Sequence, residues 1–343
     1  YNTSGCLVKQ IFVTAFFPSG VKKTAEKLSL KIVFTIFYPF PARSLPPLKG
    51  YVTIFRLQLI KKIYKKMTGG LYKVSAVKKA KIDYRLATGK KLNLKNPQNL
   101  NEKLQWLNLY TYDERKVKCA DKYFAREYII KHGLEEYLPK LIGVYENVDD
   151  IDFEKLPEKF ALKCTHGAGF NIICKNKSIL DIEKSKKDLN KWLHTDFGIS
   201  AGEMHYSKMK PRIICEEFLD GLDNDVPIDY KFFCFNGVPR FLEVCTGRFK
   251  ALKFSFYDMD WNFLDYQSKK YKGKSEFIGK PKSFDKMKEI AKSLSNGFNF
   301  VRVDLFDIKG KPYIGEMTFT PHAGRITSMS DEALKKTGDM LMI

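Results

Sequence analysis

Residues 300–319 read FVRVDLFDIKGKPYIGEMTF, two runs of period two joined by a short turn. In the first run Val301, Val303 and Leu305 alternate with Arg302 and Asp304, so one face of a strand is apolar and faces a core while the other is charged. In the second run Ile314, Glu316 and Thr318 share a face. A turn centred on Gly310 pairs residues whose numbers sum to 620, which sets Asp304 directly opposite Glu316. Two carboxylates about 5 Å apart across a ladder repel unless a cation lies between them. Magnesium held by the two carboxylates and by ligand phosphates answers that repulsion, and is the reading adopted; the plain alternative is a surface pair bridged by lysines. On the magnesium reading, losing either charge relieves repulsion, and the metal-free protein gains stability.

Upstream, strands are expected at 159–164, 171–175, 212–219, 229–236, 239–246 and 252–257, with an amphipathic helix carrying Met287, Ile290, Ala291 and Leu294 before the last pair. Between the first two strands, KCTHGAGF places Thr165, His166, Gly167, Ala168 and Gly169 in a loop. Its glycines let backbone amides approach an anion, and Lys163 adds a positive charge. Alone, such a loop is an ordinary hairpin and His166 an ordinary loop hydrogen-bonder. Glu216 and Glu217 end the next apolar strand and resemble a hinge that can pair with a flat polar base. Asp229 and Lys231, two apart, share a strand face, and their plain reading is an edge-strand salt bridge.

Before residue 159 the period is helical. Asn99 and Glu102 form a capping box ahead of Leu100, Leu104 and Leu107, and a second helix over 121–132 stacks Ala120, Phe124 and Tyr128 before Gly133. These elements give an α+β chain with antiparallel sheets and a mainly helical region at 67–158.

The composition fits a folded protein of two or three cooperating subdomains, with 44% hydrophobic residues in 343. Its net charge of +21 is uneven: residues 1–82 hold 16 Lys and Arg against the single acid Glu26, leaving +6 for the other 261 residues. With no nucleic-acid-binding signature beside it, this charge fits an anionic membrane surface or a phosphorylated ligand, and nucleic acid is not expected. Seven scattered cysteines show no zinc spacing and read as buried thiols of a reducing compartment. No segment is long and apolar enough to span a bilayer. The basic, proline-interrupted segment 1–66 precedes the first methionine, Met67, and reads as a weakly ordered or extraneous extension, with a membrane-surface arm as the alternative.

The ordered series from about Asn96 onward resembles the ATP-grasp superfamily and, within it, the TupA-like ATP-grasp family found among cell-surface polysaccharide biosynthesis proteins. The resemblance implies two α+β subdomains, 159–215 and 216–343, clamping ATP between antiparallel sheets. Lys163 would be the strand lysine near the phosphates and Thr165 to Gly169 the flexible loop over them. Glu216, Glu217 and Leu219 would form the adenine hinge, with Asp223 on the ribose. Asp229 and Lys231 are similar to the phosphate-site D-x-K element, and Arg248 to the basic residue facing the acceptor or γ-phosphate, so that Lys231 and Arg248 carry the catalytic charge. Asp304 and Glu316 match the two Mg2+ ligands. The third metal-site position, where the family usually has Asn, is Thr318 here, a hydroxyl that can meet a metal-bound water.

What the resemblance implies for activity is a cytoplasmic ligase that forms an acylphosphate for an amine to attack, on a small-molecule or glycan acceptor. A sugar or polysaccharide kinase, or a glycosyltransferase of the same pathway, is the alternative.

Overall fold

The computed structural model describes residues 75–220, 227–247, 251–271 and 273–343, all within the unit Lys61–Ile343. The segment 1–66 and the candidate residues Asp223 and Arg248 lie outside the described residues.

The N-terminal helices are α1 (Ala76–Thr88), α2 (Leu100–Tyr110), α3 (Glu114–Ala120) and α4 (Phe124–Lys131). The expected capping box starts α2: Asn99 Oδ1 accepts from Glu102 N at 3.0 Å and Glu102 Oε2 from Asn99 N at 3.4 Å, which satisfies two otherwise unpaired amides. Leu100, Leu104 and Leu107 are buried, as the period requires. The second expected helix is shorter and rotated. Asp121 Oδ1 caps it by accepting from Tyr123 N and Phe124 N, and its buried stripe is Ala125 and Ile129 rather than Phe124 and Tyr128.

A four-stranded sheet follows, built from β1 (Leu141–Tyr145), β2 (Phe160–Cys164), β3 (Asn171–Cys174) and β4 (Ile213–Glu217) in the order β1-β4-β2-β3. Helix α5 (Ile182–Leu193), capped by Asp181, covers it through Leu189 against Phe160, Leu162 and Ile213. Strand β1 comes from the region expected to be mainly helical, and β4 straddles the expected boundary at 215/216. After α5 come α6 (Phe197–Ala201) and a 3-10 turn, Tyr206–Lys208.

The six-stranded sheet contains β5 (Asp229–Phe235), β6 (Val238–Thr246), β7 (Lys253–Asp258), β8 (Phe263–Leu264), β9 (Phe300–Ile308) and β10 (Lys311–Thr318) in the order β10-β9-β5-β6-β7-β8. Every pairing in both sheets is antiparallel. One face packs Phe232, Val301, Val303 and Leu305 onto Met287, Ile290, Ala291 and Leu294 of α7 (Phe284–Ser295). The other packs Phe233, Phe235, Phe241 and Phe300 onto the leucines of α2 and Leu334 of α8 (Asp331–Asp339). Among the described residues no helix is long and apolar enough to cross a membrane.

The hairpin that decides the fold reaches its register by a detour. Lys309 (φ 54) and Gly310 (φ 85) form a tight two-residue turn whose left-handed backbone suits the strand twist. Ile308 therefore pairs with Lys311, one residue tighter than expected, and a bulge between Ile314 and Glu316 restores the expected pairing of Glu316 with Asp304. Gly315 is the extra residue. A Cβ there would lie 2.8 Å from the Phe306 ring and 3.2 Å from the Asp304 carbonyl oxygen.

Candidate active site

The registers of the large sheet line up one row of charge across four strands: Glu243 on β6, Lys231 on β5, Asp304 on β9 and Glu316 on β10 are successive cross-strand partners. Directly paired residues share a face, so all four point to the same side. Strand β5 is interior, so the ion pair expected between Asp229 and Lys231 forms inside the sheet and not on an edge strand, and it is shared with Asp304. Lys231 Nζ donates to Asp304 Oδ2 at 2.8 Å and to Asp229 Oδ1 at 3.4 Å.

Arg302, on the same face as Asp304, donates from Nε to Asp304 Oδ1 at 2.6 Å and from Nη2 to Oδ2 at 2.7 Å, and reaches Glu316 Oε1 at 3.4 Å. The cation between the two carboxylates is thus the chain's own guanidinium, buried rather than on the surface. Repulsion between Asp304 and Glu316 does not by itself require a metal, which corrects the inference drawn from the ladder alone. Burial would raise the Asp304 pKa, but Arg302 and Lys231 outweigh it and hold the carboxyl at about 2. Burial opposes the charge on Lys231 as well, and Asp304 more than restores it. Glu243 has the opposite balance: burial pushes its pKa up despite Arg302 and Lys231.

The donor set fits Mg2+, which takes oxygen ligands. Asp304 accepts three hydrogen bonds, where an ionised carboxylate offers about four lone-pair positions. Both contacts of Glu316 fall on Oε1, with its side chain one-third exposed. Each carboxylate keeps lone pairs for a cation. Thr318 spends its proton on Glu316 Oε1, at 3.1 Å, and accepts from Arg302 at 3.2 Å, so it orients the glutamate.

The small sheet supplies the opposing wall. Lys163 Nζ lies 2.6 Å from Glu216 Oε2, and Arg126 Nη1 donates to Glu216 Oε1 at 3.0 Å. Glu217 accepts from Lys140 N at 2.8 Å. Glu216 is therefore neutralised from within, Glu217 takes a backbone amide, and Leu219, half-buried, follows them. In the glycine loop Thr165, His166 and Gly167 are buried and only Ala168 and Gly169 are exposed. His166 Nε2 lies 3.1 Å from the Trp192 carbonyl oxygen, and burial lowers its pKa. Gly169 needs its hydrogen side chain for a φ of +75°; Gly167 needs its own because Phe170 and Phe197 would press on a Cβ at 2.9 and 3.0 Å.

Reading the sequence missed Lys122 and Arg126. Lys122, two residues before α4, donates to Gly167 O at 2.6 Å; burial lowers its pKa, with Glu316 opposing and Lys163 adding to the shift. A small cavity of about 20 Å3, room for one water, lies among Lys122, Arg126, Lys163, Glu216 and Glu316. Both sheets and the helical region therefore meet at one charged cleft. The only trace in the sequence was two cations four apart on a helix, which ordinarily read as a solvated face.

The TupA-like ATPgrasp family matches residues 102–342, well over half of the chain. No curated protein matches. Solved structures similar to the chain include D-alanine–D-alanine ligase from Bacillus anthracis complexed with ATP, at 14% identity and a TM-score of 0.38 over 65% of this chain and 61% of that one. The Helicobacter pylori D-alanine–D-alanine ligase follows at 16% and 0.39, over 72% and 70%. The ATP-grasp ligase PsnB complexed with minimal precursor gives 12% and 0.37, over 68% and 62%. The chain thus spans about three fifths of the length of the first of these, and likenesses this weak add no weight to the family match.

Proposed function

Because the chain belongs to the TupA-like ATP-grasp family, we propose that it is a Mg-ATP-dependent ligase that activates a carboxylate as its acylphosphate for amide formation. The observation that carries this is the meeting at one cleft of Lys122 and Lys163 with Glu316, whose row continues behind it through Asp304 and Lys231 and is tied together by Arg302. Phosphoryl transfer asks little covalent chemistry of a protein and much placement of charge.

On this reading Lys163 and Lys122 take the phosphates of ATP, with the Ala168–Gly169 crest above them. Lys163 then exchanges Glu216 for phosphate oxygens. Asp304 and Glu316 would hold Mg2+, which supplies positive charge at the phosphate oxygens. Lys231 and Arg302 keep Asp304 ionised and aimed. An acceptor carboxylate oxygen forms a bond to the γ-phosphorus as the bond to ADP oxygen breaks. An amine then forms the C–N bond as phosphate leaves. The cavity of about 20 Å3 is far too small for a nucleotide, so binding requires the two walls to part and close again. The acceptor is a uronic acid or amino acid of a cell-surface polysaccharide, and the protein works where ATP is, in the cytoplasm.

The test supplies γ-labelled ATP with D-glucuronate or L-glutamate as carboxylate and glycine as amine. The ligase reading requires label in free phosphate, ADP in equal amount and a new amide. Label retained on the acceptor identifies a kinase, and AMP with pyrophosphate identifies adenylation. A larger thermal stabilisation by a UDP-sugar than by Mg-ATP turns the function toward glycosyl transfer.

A further inference from the structure

Residues 269–282, between β8 and α7, read KKYKGKSEFIGKPK: six lysines against the single acid Glu276, with no Arg, Asn or Gln. At the centre of the segment Phe277 is 80% exposed. Single exposed apolar residues are common on protein surfaces. What sets Phe277 apart is that the chain on both sides of it is tied down and leaves it facing out.

Strand β7 and Trp261 fasten that backbone. Phe254 N donates to Lys274 O at 2.9 Å. Ser255 Oγ donates to Glu276 O at 2.7 Å and accepts from Glu276 N at 3.1 Å. Ile278 N donates to Tyr257 Oη at 2.9 Å, Trp261 Nε1 donates to Ile278 O at 3.0 Å, and the Ile278 side chain packs on the core. With Glu276 and Ile278 both held inward, Phe277 between them is turned to solvent. Phe263, 48% exposed, pairs directly with Tyr257 and so stands on the same side of the sheet.

Glu276 spends its charge locally, accepting from Lys253 Nζ and Thr246 Oγ1. Positive charge is left in excess, because Lys269, Lys270, Lys274, Lys280 and Lys282 are exposed. Lys280 meets Asp285 at 3.5 Å, an exposed pair that binds it weakly. Phe256, the cross-strand partner of Glu243, lies on the side of the charged row, so its neighbours Ser255 and Tyr257 face the other way. The segment they hold is therefore across the sheet from the cleft, and what it meets is not a substrate of that site.

We propose that residues 269–282 form a peripheral docking surface for an anionic lipid bilayer. Phe277 enters the boundary between headgroups and acyl chains, and Lys274 and Lys280, on either side of it, meet lipid phosphates. An apolar tip among lysines, whose stems lie along apolar surface while the ammonium stays wet, is what such an interface takes. Other occupants fit less well. Nucleic acid is read through Arg, Asn and Gln, which the segment lacks. A second copy of the chain would set six lysines against six.

The test uses the full chain, so that residues 1–66 are the same in every protein compared, with vesicles of phosphatidylcholine and phosphatidylglycerol in equal parts. Wild type should co-sediment with these and not with pure phosphatidylcholine vesicles. Lys274→Gln combined with Lys280→Gln should weaken partition at least tenfold, since each lysine at an anionic surface is worth roughly fivefold. Phe277→Ser should weaken it about tenfold. In Phe277→Trp, emission above that of the wild-type tryptophans should shift to the blue and be quenched by brominated phosphatidylcholine in the anionic vesicles. Because the three altered side chains are exposed, every variant should melt with wild type and respond equally to Mg-ATP. Partition equal to wild type in both the lysine variant and Phe277→Ser, an unquenched indole in Phe277→Trp, or no partition of wild type overturns the proposal. So does a loss confined to binding of poly(U) or polygalacturonate, which assigns the segment to nucleic acid or to an acidic glycan.

Discussion

Arg302 and Asp304 stand two apart on one strand and close on each other through both guanidinium–carboxylate contacts, at 2.6 and 2.7 Å, in a site where Asp304 is 2% exposed. A bidentate pair of this kind fixes direction as well as charge. It also changes what removing the charge should do.

With Arg302 and Lys231 both resting on it, Asp304→Asn leaves two buried cations short of a counter-charge. Breaking a buried pair costs about 3 kcal/mol or more, so this variant should unfold at markedly lower denaturant, contrary to the gain expected from relieved repulsion. Glu316→Gln, at a partly exposed position, should unfold close to wild type. Both should lose on the order of 10² in turnover. Equal stabilities for the two variants would show that Arg302 does not depend on Asp304.

The two perturbed carboxyls should bend the pH profile in opposite directions. Asp304 has a folded pKa of about 2, below its ordinary 3.8, so its contribution is present above that ordinary value and is lost as pH falls from about 4 toward 2. Glu203 has a folded pKa of about 8, above its ordinary 4.5, so its contribution is complete below 4.5 and is lost as pH rises toward 8. In urea unfolding at a series of pH values, the stability of Glu203→Gln relative to wild type should climb between about pH 4.5 and 8 and then level off. Parallel profiles would mean that Glu203 titrates normally.

Gly315→Ala should damage both fold and site. Its Cβ has no room beside the Phe306 ring, and overpacking of this kind costs about 1–3 kcal/mol. Because Glu316 follows directly, activity should fall beyond what the melting shift explains. Gly310→Ala, strained by its φ of +85° but meeting nothing closer than 3.9 Å, should cost about 1 kcal/mol and spare activity. Equal activity losses in the two variants would remove the bulge from the site.

Lys122→Gln and Lys163→Gln should each weaken Mg-ATP at least tenfold by calorimetry, about 1.4 kcal/mol. Lys155→Gln, on an exposed ion pair with Asp152, should not. Unchanged affinity in Lys122→Gln would place ATP away from the helical wall.

Local chemistry made much of this legible in the sequence. The capping box at Asn99, the apolar stripe of α7 and the alternation of Val301, Val303 and Leu305 are short-range patterns, fixed by 3.6-residue and two-residue periods. The partnership of Asp304 with Glu316 also followed from period and turn position. The bulge at Gly315 that delivers it did not, since it depends on a turn one residue tighter and on the Phe306 ring. Helix α4 was misplaced because Asp121 caps it by its side chain, which the apolar spacing does not report.

The sequence by itself determined which strand faces are apolar, the register of the one hairpin that its turn fixes, and which residues could carry charge. Only the tertiary structure decided how those charges are spent: that Arg302 and Lys231 settle on Asp304, and that Arg126 and Lys163 settle on Glu216. The Arg126–Glu216 pair joins residues 90 positions apart, and no periodicity links such positions. Whether a buried charge is met or left waiting is settled by packing, because burial makes each unpaired charge expensive and only folding brings the partners within reach.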